Sequence, residues 1–325
     1  MGAGSMAWGR RVISLRQHAI SIAAIFLALA LGVVLGSQTL ASDLLSGLRS
    51  DKDDLRAQVD SLSAQNQRLT GQLNGADAFI AGSAPRILGG TLADRSVVVF
   101  TTPDADPGDV DGVVAALQTA GAAVAGRIAF TDAFVDATEG DRMRSTLTNI
   151  IPAGAELRTG AVDQGSLAGD LLGLVLLLDP ATGQPRSTPQ ELGLALETLR
   201  GGGFLAYGDT PVQPAQLAVV VTGDGAKADE NSRGANIARF AGTLRARAAG
   251  VVLAGRPGAA EGAGPLAVVR DDAPLAAAVT TVDNLDRDLG RITTALALSE
   301  QLAGRTGRYG TGPTATSLTL AALPG

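Results

Sequence analysis

Residues 19–35 are apolar apart from Ser21 and carry no charge, and Leu then recurs every seven residues at 48, 55, 62 and 69. The two patterns predict two different helices. The first, run on to Gly36, covers about 27 Å as a helix, close to the roughly 30 Å hydrocarbon core of a bilayer. The second has the period of a coiled coil, with the leucines at position d. Position a is then Leu45, Lys52, Val59, Asn66 and Leu73, and Ala76 closes the d series. The residues around this seam are polar, among them Asp51, Arg56, Gln58, Gln65, Gln67 and Arg68. The competing reading is an amphipathic helix packed on its own globular domain.

Past the stalk, Gly82-Ser83-Ala84-Pro85 is a stop signal that ends the helix. Residues 96–101 (SVVVFT) are short, apolar and β-branched, as in a strand buried on both faces. Turn signals at Pro103-Asp104 and Pro107-Gly108 follow. Then come a helix over 109–120 closed by Gly121, a strand over 123–130 and a helix over 141–150. Residues 167–178 are apolar and fit a buried helix or a strand. A helix over 190–199 stops at Gly201-Gly202-Gly203, and strands follow at 204–207 and 217–222. Residues 232–248 place Ile237, Phe240, Ala241 and Leu244 on one helical face. Two further strand candidates, 251–254 and 266–269, flank an exposed Gly/Pro/Ala loop at 256–265, and a helix over 292–302 ends the series.

Strands alternating with helices imply parallel βαβ units under a two-sided helical cover. The expected fold class is α/β: an N-terminal transmembrane helix, a coiled-coil stalk, then an extracytoplasmic α/β domain with mostly parallel sheet. The segments are 1–18 (cytoplasmic N-terminus), 19–37 (anchor), 42–80 (stalk) and 86–325 (α/β domain). The break at 179–189 leaves open one lobe or two.

Charge sets the expected orientation. Arg10, Arg11 and Arg16 precede the apolar run, and Asp43, Asp51, Asp53 and Asp54 follow it, which puts the N-terminus in the cytoplasm and the main domain outside. A cleaved signal peptide is the alternative, with Thr39-Leu40-Ala41 as the cleavage site, although such apolar regions are about 7–15 residues long. Within the run, Ala28, Gly32 and Gly36 repeat every fourth residue, a spacing that lets two membrane helices approach closely. The expected interface of a parallel homodimer is Gly32, Gly36, Leu48, Leu55, Val59, Leu62, Asn66 and Leu69. Asn66 at position a fixes a two-stranded register.

Composition narrows the chemistry. The chain has no cysteine, which removes disulfides, thiolate metal sites and Cys nucleophiles together. A net charge of −6 gives no basic footprint for nucleic acid. The single histidine, His18, lies at the membrane edge before the apolar run, so no Ser-His-Asp triad exists. Thr222-Gly223-Asp224-Gly225 follows a strand but is neither G-x-G-x-x-G nor a P-loop. The carboxylates of Asp271, Asp272, Asp283, Asp286 and Asp288 read as solvated loop groups, and 283–286 lacks the later Glu of a calcium loop. No catalytic, cofactor-binding or metal-ligating residue is therefore assigned, and no enzyme is expected. Arg305, Arg308 and Tyr309, in a Gly-rich segment, suit an anionic partner; the alternative is a turn with salt-bridging arginines.

Several motifs also carry a resemblance. They include Val12-Ile13-Ser14-Leu15-Arg16-Gln17-His18-Ala19, Gly32-Val33-Val34-Leu35-Gly36-Ser37, Val162-Asp163-Gln164-Gly165-Ser166 and Gly169-Asp170-Leu171-Leu172-Gly173. Further on come Ala238-Arg239-Phe240-Ala241, Leu253-Ala254-Gly255-Arg256, Thr281-Val282-Asp283, Gly290-Arg291-Ile292-Thr293 and Tyr309-Gly310-Thr311-Gly312. Together they resemble the mycobacterial copper transport protein B (MctB) family of actinobacteria, over nearly the whole chain from Val12. The resemblance implies copper efflux or homeostasis through the envelope, by an outer-membrane channel. A second family picture is a membrane-anchored scaffold in envelope assembly, whose partners regulate peptidoglycan hydrolysis. The residues favour the scaffold. Copper(I) takes thiolate or thioether ligands and copper(II) takes imidazoles, and the chain offers only His18, Met1, Met6 and Met143. A membrane barrel uses aromatic girdles and alternating strands of about ten residues. Aromatics here are 3%, and the strand candidates are short and apolar throughout.

Overall fold

The computed structural model describes residues 15–320 except 153, and the side chains of 38–47 lie outside the described set. Arg10, Arg11 and the Val12-Ile13-Ser14 start therefore fall outside the described residues, as do the side chains of Thr39, Leu40, Ala41, Asp43 and Leu45. The chain forms two compact units. Residues up to Leu73 make one and residues from Asn74 the other.

The first helix, α1, spans Leu15–Leu88 and contains Pro85. It does not end at Gly82–Pro85 as the stop signal predicts. Proline removes one N–H and crowds the preceding turn, yet here packing outweighs that loss. Ile80, Ala84 and Ile87 lie against the domain core and Leu88 is fully buried. The helix stops only at Gly89-Gly90, where Gly90 takes φ +78°, a left-handed turn that glycine adopts without penalty.

From Asn74 onward a seven-stranded sheet has the order β3-β2-β1-β4-β5-β6-β7. Its strands are β1 (Ser96–Thr101), β2 (Ala123–Phe130), β3 (Leu205–Tyr207), β4 (Leu217–Val221), β5 (Gly250–Ala254), β6 (Thr280–Val282) and β7 (Arg308–Tyr309). All pairs are parallel except β2 with β3. The sheet is mostly parallel, as its apolar, two-sided strands predict. Val97 and Val99 face one core, Val98 and Phe100 the other, and all four are buried.

Helices cover both faces. On one lie α2 (Pro107–Thr119) and α10 (Asp288–Leu302), with the end of α1. On the other lie α3 (Asp132–Val135), α4 (Gly140–Thr148), α5 (Gln164–Leu176), α6 (Pro189–Gly201), α7 (Arg233–Arg245) and α8 (Pro265–Asp271), followed in the chain by α9 (Ala273–Ala278). Four of the seven phenylalanines meet on this second face: Phe130 and Phe134 stack at 3.8 Å, and Phe240 stands edge-on to both and to Phe100. The α10 connection from β6 to β7 lies on the opposite face to α7 and α8, so it has the opposite hand to the other crossovers. Such connections are rare in parallel sheets.

The ambiguous run 167–178 is α5, a helix. It crosses α7 closely because Gly165, Gly169 and Gly173 form a side-chain-free stripe. A Cβ on Gly165 would lie 2.2 Å from the Asn236 carbonyl oxygen. One strand assignment changes: 266–269 belongs to α8, opened by Pro265 at its first turn. The pattern does not show β6 and β7, which carry too few residues for a period. The 256–265 segment is not an exposed loop: Ala259 and Ala260 are buried in a 3₁₀ turn, and Gly258 packs against the Asp224 carbonyl.

Local capping accounts for several boundaries. Thr188 and Glu191 form a reciprocal capping box at the start of α6. Thr188→Ala is expected to cost about 1 kcal/mol, read as a fall of roughly 2–4 °C in the melting temperature of the domain.

Candidate functional site

Three places carry the groups that sequence patterning singles out. The first is α1 up to Leu73. Leu15–Ser37 is the one stretch among the described residues long and apolar enough to cross a membrane. None of the window is buried, and Phe26 is 70% exposed. A Cβ on Gly32 or Gly36 would meet nothing within 4 Å. Leu48, Leu55, Val59, Leu62 and Leu69 are likewise exposed, and the Asn66 side chain accepts a bond from Thr70, one turn on. An apolar stripe of this length left in water opposes the burial that drives folding.

The second place is the C-terminal segment. Tyr309 is buried, and its hydroxyl donates to Glu300 at 2.6 Å. Burial, then the bond to Glu300, pushes its pKa well above the usual phenol range. Arg305 is exposed beside Glu300 at 3.6 Å, and Arg308 is half-buried. The structure thus turns Tyr309 inward and leaves Arg305 outward. The neighbouring Tyr309-Gly310-Thr311-Gly312 run has a structural task that the sequence did not show. Thr311 and Gly312 backbone N–H groups donate to Asp283 at 2.6 and 3.0 Å. Asp283 is not solvated: it is fully buried, 2.7 Å from the equally buried Arg270. Its carboxylate is engaged, which removes it from any cation loop at 283–286.

The third place follows from topology. The chain winds outward from β1 to β2 on one side and from β4 to β5 on the other. In such sheets the gap beyond the carboxyl ends of the two central strands is where ligands bind. Here Asp104, after β1, and Gly223, after β4, touch so closely that a Cβ on Gly223 would lie 2.1 Å from the Asp104 carbonyl oxygen. What stays open is a cleft of about 200 Å³ on the α7 side, bordered by Asp104, Asp132, Thr222, Lys227, Arg233 and Ile237. Arg233 pairs with Asp132 and Asp136. Thr138 and Asn231 bonds, with the Arg233 charge, lower the Asp136 pKa to about 2. Asn231 and Ser232 hold left-handed backbone at φ +48° and +59°, a strain of about 1–3 kcal/mol each. Gln164 and Asn236 fix the 133–135 turn from below by donating to its carbonyls. Patterning missed this cleft because its residues come from five separate segments.

The cleft holds charges of both signs and no imidazole or thiol. Among the described residues no group of three or more His, Asp or Glu side chains is placed to hold a metal ion.

Fold and sites together define a doubly wound α/β protein joined to a long N-terminal helix with one candidate membrane span. The family described as "Copper transport outer membrane protein, MctB" matches residues 12–320, and the chain belongs to that family. It is 44% identical over 312 residues to the protein named "Copper transporter MctB" in Mycobacterium tuberculosis and in Mycobacterium bovis, covering 95% of this chain and 99% of each relative. The Mycobacterium leprae protein of the same name is 44% identical over 315 residues, with the same coverage. The relatives are named as transporters, not enzymes.

Proposed function

We propose that this chain is a single-pass, non-enzymatic envelope protein. Its N-terminus lies in the cytoplasm, its α1 helices pair in parallel, and its outer α/β domain acts as a scaffold for envelope partners, peptidoglycan-hydrolase regulators among them. The observation that carries the reading is the uncovered heptad stripe from Leu48 to Leu73 below an apolar span. The relatives' names bring copper to this chain as cargo or as an indirect effect. The described residues offer one sulfur, Met143, and it is fully buried in the core. Met and His ligands suited to copper are otherwise absent from the outer domain.

The family description favours a second reading, a copper-conducting pore. The sheet supports the scaffold instead: it is open, mostly parallel and helix-covered on both faces, whereas a membrane barrel is closed and antiparallel. A pore would have to be assembled from the α1 spans of several copies. Copper(I) and copper(II) titrated into the full-length protein in detergent should show no stoichiometric site tighter than about 1 μM, about 8 kcal/mol of binding free energy. The same preparation should give no stepwise conductance in planar bilayers. A tight site or discrete copper-carrying steps would favour the transporter.

A further inference from the structure

The heptad stripe does not end where its apolar residues end. Continued in the same phase, position a after Leu73 is Ile80 and then Ile87. Leu73 is 51% exposed, but Ile80 and Ile87 pack against the core beneath α2 and α10, with Ala84 between them and Leu88 completely buried. On a helix of 100° per residue, Leu62, Leu69, Leu73, Ile80 and Ile87 all fall within about 40° of one another. In one continuous heptad phase, the a and d leucines from Leu48 to Leu73 are exposed, whereas Ile80 and Ile87 pack on the core of the α/β domain. Arg287 locks the change-over, reaching Asp77 at 2.9 Å and Asn74 at 3.4 Å.

The uncovered part also has the charge pattern of self-pairing. With Leu at d, Asp51 stands at g and Arg56 at the e position of the next heptad. In a parallel, in-register pair, g of one helix faces that e of the other. Among the described residues neither Asp51 nor Arg56 has an ion-pair partner. The other g–e pairs with both members between Leu48 and Leu73, Gln58 with Ser63 and Gln65 with Thr70, are uncharged, so Asp51 and Arg56 are the one oppositely charged pair inside the stretch and set its register.

Resting on the paired-helix reading above, we infer that a second copy of this chain docks on α1 only from Leu48 to Leu73. It docks parallel and in register through Asp51–Arg56 contacts in both directions and an Asn66–Asn66 contact. Between Leu73 and Ile80 the two helices part, because each domain claims the same stripe for its own core. The pairing surface thus has a fixed upper end, set by intramolecular competition for one helix face.

The chain lacks cysteine, so single cysteines report cleanly. Leu62→Cys, Leu69→Cys and Ser83→Cys all occupy position d. They are compared in the full-length protein in lipid, with disulfide formation read on non-reducing gels. Leu62→Cys and Leu69→Cys should cross-link nearly completely and Ser83→Cys at least tenfold less. Adding Asp51→Arg to Leu62→Cys should cut its cross-linking rate about fivefold, and adding Arg56→Asp to that variant should restore it. Equal cross-linking at Ser83 would overturn the upper end while leaving the dimer standing. No rescue by the charge exchange would overturn the parallel register. No cross-linking at any of the three would remove the paired-helix reading itself.

Discussion

Gly165→Val is expected to unfold the outer domain or lower its stability by about 3 kcal/mol or more, the upper range of overpacking costs. At Gly165 the first added carbon would already lie 2.2 Å from the Asn236 carbonyl oxygen and 2.9 Å from its carbon. Both are backbone atoms of α7, so no side-chain rotation relieves the clash. The helices would have to separate, and separation disturbs the stripe at Gly169, where a Cβ would lie 2.5 Å from the Phe240 carbonyl oxygen. It would also pull Asn236 from the Val135 carbonyl, a buried bond at 3.0 Å. For a domain of this size the loss corresponds to a fall of roughly 6–12 °C in melting temperature. Gly193→Ala is the control: that glycine sits in α6 with nothing within 4 Å of its would-be Cβ, and alanine there should be neutral or slightly stabilising. Equal melting temperatures for Gly165→Val and the unmodified protein would show that α5 and α7 are not packed as described.

Asp283→Ala should cost about 3–5 kcal/mol, because it strands the Arg270 guanidinium in an apolar interior. Both side chains are completely inaccessible to water. Arg270 also donates to Thr281 at 2.9 Å, to the Tyr309 carbonyl at 2.9 Å and to the Pro313 carbonyl at 3.2 Å, so the pair ties β6 to the chain's last segment. Gly310, at φ +125°, lies so close that a Cβ there would meet Asp283 at 2.1 Å. Loss of the carboxylate should therefore release residues 309–317 before the rest of the domain unfolds, seen as fast amide exchange at Thr311 and Gly312. The double variant Arg270→Met/Asp283→Leu should recover much of the stability, since an apolar pair has no charge to desolvate. Exchange at Thr311 as slow in Asp283→Ala as in the unmodified protein would refute the tie.

The apolar N-terminal helix and most α/β elements were legible in the sequence, because each rests on a local pattern: an uncharged run, β-branched clusters and Gly or Pro stops. Strand β2 runs over the same residues as its pattern, 123–130. The α5 run was readable as buried but not as helix, since a uniformly apolar segment shows no period. Only tertiary structure decided the rest. It carried α1 through Pro85, where burial of Leu88 outweighed the local stop. It made a helix of 266–269 and a buried clamp of Asp283, 13 residues from Arg270 in the chain and 2.7 Å away in space. It assembled the cleft at the β1/β4 gap from distant segments. Local sequence fixes backbone preference and periodicity; which apolar faces meet, and which charges are thereby taken out of water, depends on contacts between residues far apart in the chain.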